Sequence, residues 1–167
     1  MTWALPEWTV LAAVREQPRH GFAIAALTAP DGDLGKVWQI PRPVVYRALG
    51  RLEEARQLEP TAVESGSGPQ RTVYAATGSG RAAVDEWLAR PVPHVRAIRS
   101  QLLMKLVLLH RRGIDPADLL AAQRAVITPI VAAIDGERRD RDGVDSLLLA
   151  WRHAGAMAAL AFLTEIG

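Results

Sequence analysis

Pro41-Arg42-Pro43-Val44-Val45-Tyr46-Arg47-Ala48-Leu49-Gly50-Arg51-Leu52-Glu53-Glu54, continued after a break by Gly66-Ser67-Gly68-Pro69-Gln70-Arg71-Thr72-Val73-Tyr74, is the stretch that decides the fold. Its first half spells a helix. Pro43 suits a first helical turn, where the missing N–H costs nothing, and the pattern predicts a helix to about Gln57, with Glu59-Pro60 beyond it. Val45, Leu49 and Leu52 fall within a narrow arc, as a core-facing stripe should. Val44, Arg47, Ala48 and Arg51 fall roughly opposite, with Tyr46 on the flank and Arg42 at the entrance. The second half spells a hairpin: Thr61 to Glu64 and Arg71 to Ala75 read as strands around a Gly- and Ser-rich turn. Its tip, Ser65 to Arg71, offers Gly66 and Gly68 for positive φ, with Gln70 and Arg71 as polar and basic contacts.

A helix can enter the major groove of B-DNA, and a basic ribbon beside it can grip the backbone. Arginines separated by small residues can reach a base edge, where the guanidinium binds guanine O6 and N7 bidentately, or can clamp a phosphate. DNA binding is therefore the leading expectation. The candidate DNA-binding residues are Arg42, Val44, Tyr46, Arg47, Arg51, Gln70 and Arg71.

Working outward, Glu7 to Glu16 carries Trp8, Leu11, Ala12 and Val14 at roughly helical spacing, and Pro18 ends the run. Gly21 to Leu27 is a second short helix, closed by the turn cluster Ala29-Pro30-Asp31-Gly32-Asp33. After the hairpin, Thr77 can cap a fourth helix reaching Leu88. Pro91-Val92-Pro93 is stiff, cannot continue a helix and is the best candidate boundary. Three apolar helical segments lie beyond it. The first is Arg96 to Arg112. The second is started by Asp115 as N-cap with Pro116 in the first turn and is kinked by Pro129. The third, Asp145 to Ile166, follows a charged turn from Arg138 to Gly143. The order predicts a mainly α fold: an N-terminal winged helix-turn-helix over residues 1–90, with three helices, a two-stranded wing and a further helix, and a C-terminal helical dimerisation and effector domain over 91–167.

Composition narrows the function classes. The chain has 167 residues, 49% of them apolar, enough for a packed core. A formal net charge of only +2 means that any nucleic-acid surface is a local patch. With no cysteine, disulfides, thiolate zinc sites and cysteine nucleophiles are excluded. The N-terminus lacks a basic region followed by an apolar run, so no signal peptide is read there. Leu147 to Leu163 is apolar, but Arg152 and His153 interrupt it and it is shorter than the ~20 residues that span a bilayer. It reads as a buried helix, and the expectation is a cytoplasmic protein without membrane contact. His20, His94, His110 and His153 are scattered, and no pair has the spacing of a helical metal motif. Asp115 and Asp118 look like first-turn residues complementing a helix dipole. Gly66-Ser67-Gly68 and Gly78-Ser79-Gly80 lack the lysine and hydroxyl residue of a phosphate loop and read as turns. No enzyme activity, cofactor or metal is expected.

These residues also resemble the PadR-type transcriptional regulators. The resemblance rests on His20-Gly21-Phe22 opening the second helix and on Val45-Tyr46-Arg47-Ala48-Leu49-Gly50-Arg51-Leu52-Glu53-Glu54 in the third. It continues through Gly68-Pro69-Gln70-Arg71-Thr72-Val73-Tyr74-Ala75-Ala76-Thr77 on the wing, Gly80-Arg81-Ala82-Ala83 and Trp87-Leu88. It covers roughly residues 5 to 90; in the tail the likeness is one of pattern. Two positions depart from the family: Arg56 stands where glycine usually ends the helix in a left-handed turn, and Pro43 stands where a small or flexible residue is usual. The resemblance implies a homodimeric regulator, most often a repressor, on a pseudo-palindromic double-stranded DNA operator.

One winged helix offers few base contacts, which argues independently for a dimer. Leu147, Leu148, Trp151, Ala154, Ala158 and Phe162 recur at helical spacing in the tail and are the candidate interface. Some PadR-like regulators bind flat aromatic compounds at the dimer centre beside tryptophan; Trp151 is the matching candidate here, with Trp8 as a second, for a small planar aromatic ligand. Other readings remain open from the sequence: a winged-helix adapter for protein partners, or a small-molecule sensor that acts without DNA. An adapter has no need for Arg42, Arg47, Arg51 and Arg71 to converge on one face.

Overall fold

Pro6 in the first turn and Pro18 just past the end bracket the first helix, α1 (Leu5–Glu16), in a computed structural model that describes residues 3–65, 70–139 and 142–167. Its segment from Thr9 to Val14 is buried, so α1 is the central helix of the N-terminal half. It packs against the third helix α3 (Arg42–Glu54) and the fourth, α4 (Gly78–Ala89). Between them α2 (Gly21–Leu27) has the bounds its sequence predicts. His20 caps it, Nδ1 accepting the Ala23 N–H at 3.0 Å, which leaves the ring proton on Nε2 facing Glu64 at 3.7 Å. A Cβ on Gly21 would lie 2.8 Å from the Tyr46 ring, so glycine there lets α2 and α3 close together.

The helix α3 ends at Glu54, earlier than the expected Gln57. Arg56 adopts φ 55°, the left-handed conformation that favours glycine, and the Gln57 N–H then bonds back to Leu52 O at 2.9 Å. The chain turns directly into the wing. Three antiparallel strands stand in the order β1-β3-β2, with β1 Arg19–His20, β2 Leu58–Glu64 and β3 Arg71–Ala76. Leu58 pairs with Ala76 and Glu64 with Arg71, with a bulge between Pro60 and Ala62. The two wing strands are longer than the sequence suggests. The two-residue β1 was not anticipated, because so short a run carries no alternation to detect. Gly66 to Pro69, including the glycines expected at positive φ in the wing tip, lie outside the described residues, as do Asp140 and Arg141 of the charged turn.

Thr77 caps α4 as expected, its Oγ1 accepting the Gly80 N–H at 3.1 Å. Gly78-Ser79-Gly80 is thus the first turn of a helix, not a free loop. A Cβ on Gly80 would meet Gln57 O at 1.9 Å, so only glycine lets the helix abut the base of the wing. In the tail, the stretch from Val95 begins with a 3₁₀ turn (Val95–Ala97) and a π turn (Ile98–Leu102) before the regular helix α5 (Leu103–Arg111). α6 spans Ala117–Arg138 and continues through Pro129. Its cap sits one residue from expectation: Asp115 Oδ1 accepts the Ala117 N–H at 3.0 Å, and Pro116 is the boundary residue. α7 (Gly143–Glu165) returns antiparallel along α6, with Arg124 donating to Leu163 O at 2.9 Å and His153 beside Asp135 at 3.0 Å.

The two halves are tied at several points. Val92 is buried, and both its backbone groups bond to the Gln123 side chain, at 2.7 and 2.9 Å. Arg111 at the end of α5 reaches Glu16 with two nitrogens, at 2.8 and 2.9 Å, and Asp33 at 2.7 Å. Lys105 is buried between them, bonded to Arg90 O with its ammonium 5.0 Å from the Trp87 ring centroid. Burial, reinforced by the Arg90 charge, pushes its pKa down to about 8.

The expectation of a buried helix over Leu147 to Leu163 holds on one side only. Within this chain α7 buries Leu149, Ala156, Ala159 and Leu163 and leaves its other side open. By length and composition α6 and α7 could each cross a membrane, a test that core helices of soluble proteins also pass.

Candidate nucleic-acid interface

Burial sorts the residues of α3. Val45, Leu49 and Leu52 face the core as expected, while Arg42, Tyr46, Arg47 and Gly50 are exposed and Val44 is half-buried. One placement differs from the sequence reading. Ala48 is buried, because it lies three residues after Val45 and four before Leu52 and so belongs to the same stripe. Arg51 is exposed opposite the stripe as expected, its side chain 57% open, and it also has a partner within the protein: its guanidinium donates to Glu7 Oε1 at 2.6 Å. Glu7 is 5% exposed and its other oxygen has no hydrogen-bond partner among the described residues, so Arg51 is the compensating charge of a buried carboxylate. Nothing in the sequence marks a pair 44 residues apart.

The wing brings a second set of groups to the same side. Gln70 and Arg71 are exposed and, with Phe22, Tyr46 and Thr72, line a recess of about 260 Å³ where the wing base meets α3. The Arg71 guanidinium lies 4.8 Å from the Phe22 ring centroid; that of Arg42 lies 5.4 Å from the same ring and 5.6 Å from Tyr46. Behind them stands Tyr74 on β3, whose phenol pKa is raised above its ordinary value by burial together with the nearby Glu53 carboxylate on α3.

Several arginines elsewhere in the chain are neutralised. Arg15, Arg19, Arg51, Arg111 and Arg112 each sit within ion-pair distance of a carboxylate. Among the described residues, no carboxylate is within that distance of Arg42, Arg47 or Arg71. These cations are exposed and available to an external anion, and α3 begins beside them with no acidic residue in its first turn.

The tail residues singled out by sequence lie elsewhere. Leu147, Leu148, Trp151, Ala154 and Ala158 are exposed along α7, Trp151 at 78%, and Phe162 is half-buried. Trp151, Ala158 and Phe162 also line a cleft of about 970 Å³, together with Arg96, Arg99 and Arg152. Trp8 does not line it: its ring stacks on Trp87, centroids 5.2 Å apart and 6° from parallel, in the N-terminal half. The two tryptophans that the sequence put forward together are therefore separate within one chain.

A recognition helix held on α1 and α2, a two-stranded wing beside it and an unpaired basic face over both define a winged helix-turn-helix. Residues 10–86 match the model of the Transcriptional regulator PadR-like family. A Mycobacterium tuberculosis (strain ATCC 25618 / H37Rv) protein described as "Probable transcriptional regulator Rv1176c" is 31% identical over 100 residues, covering 60% of this chain; the match spans about half, 51%, of that protein's length. Over the whole fold, the chain is similar to Bacillus subtilis PadR in its crystal structure with operator DNA, with a TM-score of 0.52 and 16% identity over 99% of this chain and 97% of that one. At that identity the likeness is one of fold.

Proposed function

We propose that this protein is a transcriptional repressor that binds a pseudo-palindromic operator as a homodimer and is released by a small planar aromatic effector. The observation that carries the reading is the unpaired basic face: Arg42, Arg47 and Arg71 stand exposed on α3 and the wing without a carboxylate partner among the described residues, whereas Arg15, Arg19 and Arg51 of the same half are paired. Arg47, with Val44 and Tyr46 beside it, reads base edges in the major groove; Arg42, Gln70 and Arg71 hold the backbone. Arg51 serves mainly to neutralise Glu7.

Division of labour falls near residue 90. Residues 1–90 carry the DNA reader, and 91–167 carry dimerisation through Leu147, Leu148, Trp151, Ala154, Ala158 and Phe162. Five of these six are exposed in the single chain, which supports burial against a second copy. Two recognition helices would then enter successive major grooves about one helical turn apart. The effector reading is supported by the cleft beside Trp151, whose indole face suits a planar ring. A regulator of this kind acts in the cytoplasm. The test is whether substituting Arg47 with alanine abolishes operator binding while sparing fold and dimer; retained full affinity would remove DNA recognition by α3 and favour an adapter.

A further inference from the structure

Phe22 is the reader-face residue that no charge or hydrogen bond explains. It is the second residue of α2, and 46% of it is exposed. Two guanidiniums from two different elements lie over its ring, Arg42 from the start of α3 at 5.4 Å and Arg71 from β3 at 4.8 Å, and the His20 ring stands 6.3 Å away at a tilt. The negative face of an aromatic ring attracts a guanidinium, and at an exposed site this attraction biases a long side chain toward one arrangement. Two like charges gathered at one neutral ring repel each other, and among the described residues no carboxylate pairs with either. What completes the arrangement chemically is an external anion.

We infer that Phe22 is a positioning residue of the DNA interface: its ring holds Arg42 and Arg71 together, so that the recognition helix and the wing engage backbone phosphates as one unit. The ring itself carries no sequence information. It lowers the number of conformations two arginines must give up on binding, which is where preorganisation gains affinity. The inference rests on the DNA-binding reading above and names a residue that reading does not use.

The test is fluorescence anisotropy on labelled DNA from immediately upstream of the protein's own gene, at two salt concentrations. It compares the wild type with Phe22→Leu, Phe22→Tyr, Arg42→Ala, Arg71→Ala, and Phe22→Leu combined with each arginine substitution. Phe22→Leu should weaken binding about fivefold at unchanged melting temperature, and Phe22→Tyr, which keeps the ring, should bind within about twofold of wild type. The cost of Phe22→Leu should shrink in each arginine-to-alanine background, because the ring acts through those side chains. Wild-type affinity in Phe22→Leu, or an equal loss in every background, would overturn the positioning role and leave Phe22 as plain cover for α2. A wild type that binds no better than nonspecific competitor would instead remove the functional reading itself.

Discussion

The face built by α3 and the wing and the outer side of α7 are both surfaces that the chain leaves incomplete, with opposite chemistry. On the first, Arg42, Arg47 and Arg71 are exposed without counter-charge among the described residues. On the second, Leu147, Leu148 and Trp151 are exposed without cover, Leu147 at 70%. A basic face without acids calls for a polyanion, which is attracted at long range and weakened by salt. An apolar helix face calls for another apolar face, whose burial is indifferent to moderate salt. Under the proposed function the comparison teaches that the two surfaces answer to different partners: breaking the basic face costs DNA binding and spares the dimer, whereas breaking the apolar face costs the dimer and, with it, operator affinity.

Breaking the apolar side should have the larger effect. Replacing Leu148 and Trp151 together by aspartate should convert the proposed dimer to monomer by sedimentation. Operator affinity should fall by about a hundredfold or more, because each winged helix alone makes few base contacts. Arg47→Ala comes next, with a loss of about 1–3 kcal/mol in operator binding at unchanged dimerisation, measured by the same anisotropy titration. Arg51→Ala sharpens the contrast within α3. It should lower the melting temperature, since it leaves buried Glu7 uncompensated, at a cost of about 1–3 kcal/mol. DNA affinity of the folded protein should change much less than in Arg47→Ala.

Two smaller effects concern the frame that joins the surfaces. Lys105 has a folded pKa near 8 against an ordinary 10.5, so between those values the unfolded chain holds a proton that the folded chain has released. Stability therefore rises with pH from about 8, until Tyr74, whose raised pKa acts in the opposite sense, opposes it above 10. Lys105→Met should flatten the rise in a melting series from pH 7 to 10. Arg56→Gly relieves a non-glycine residue at φ 55° and should add about 1 kcal/mol of stability, read by denaturant titration.

How legible the molecule was in its sequence follows the same division. Around α3 and the wing, local chemistry determines local structure: Thr77 as a cap and the stripe of Val45, Leu49 and Leu52 can each be read from a few adjacent residues. The features missed there depend on distant partners. Glu7 and Arg51 meet only because α1 and α3 pack, and Phe22 gathers Arg42 and Arg71 only once three elements have closed. In the tail, apolar periodicity gives helices but not which side of each is covered. Leu149 and Leu148 are neighbours of one chemistry, one buried against α6 and the other open. The irregular turns from Val95 to Leu102 leave no mark in a sequence that reads as continuous helix.

The most direct test of the central claim is a mobility shift with the purified protein on the DNA just upstream of its own gene, with excess nonspecific competitor and at two salt concentrations. The account predicts a discrete, competitor-resistant complex of dimer stoichiometry that weakens as salt rises. Binding that any competitor DNA removes equally would contradict it, reducing the Arg42, Arg47 and Arg71 face to a nonspecific basic patch.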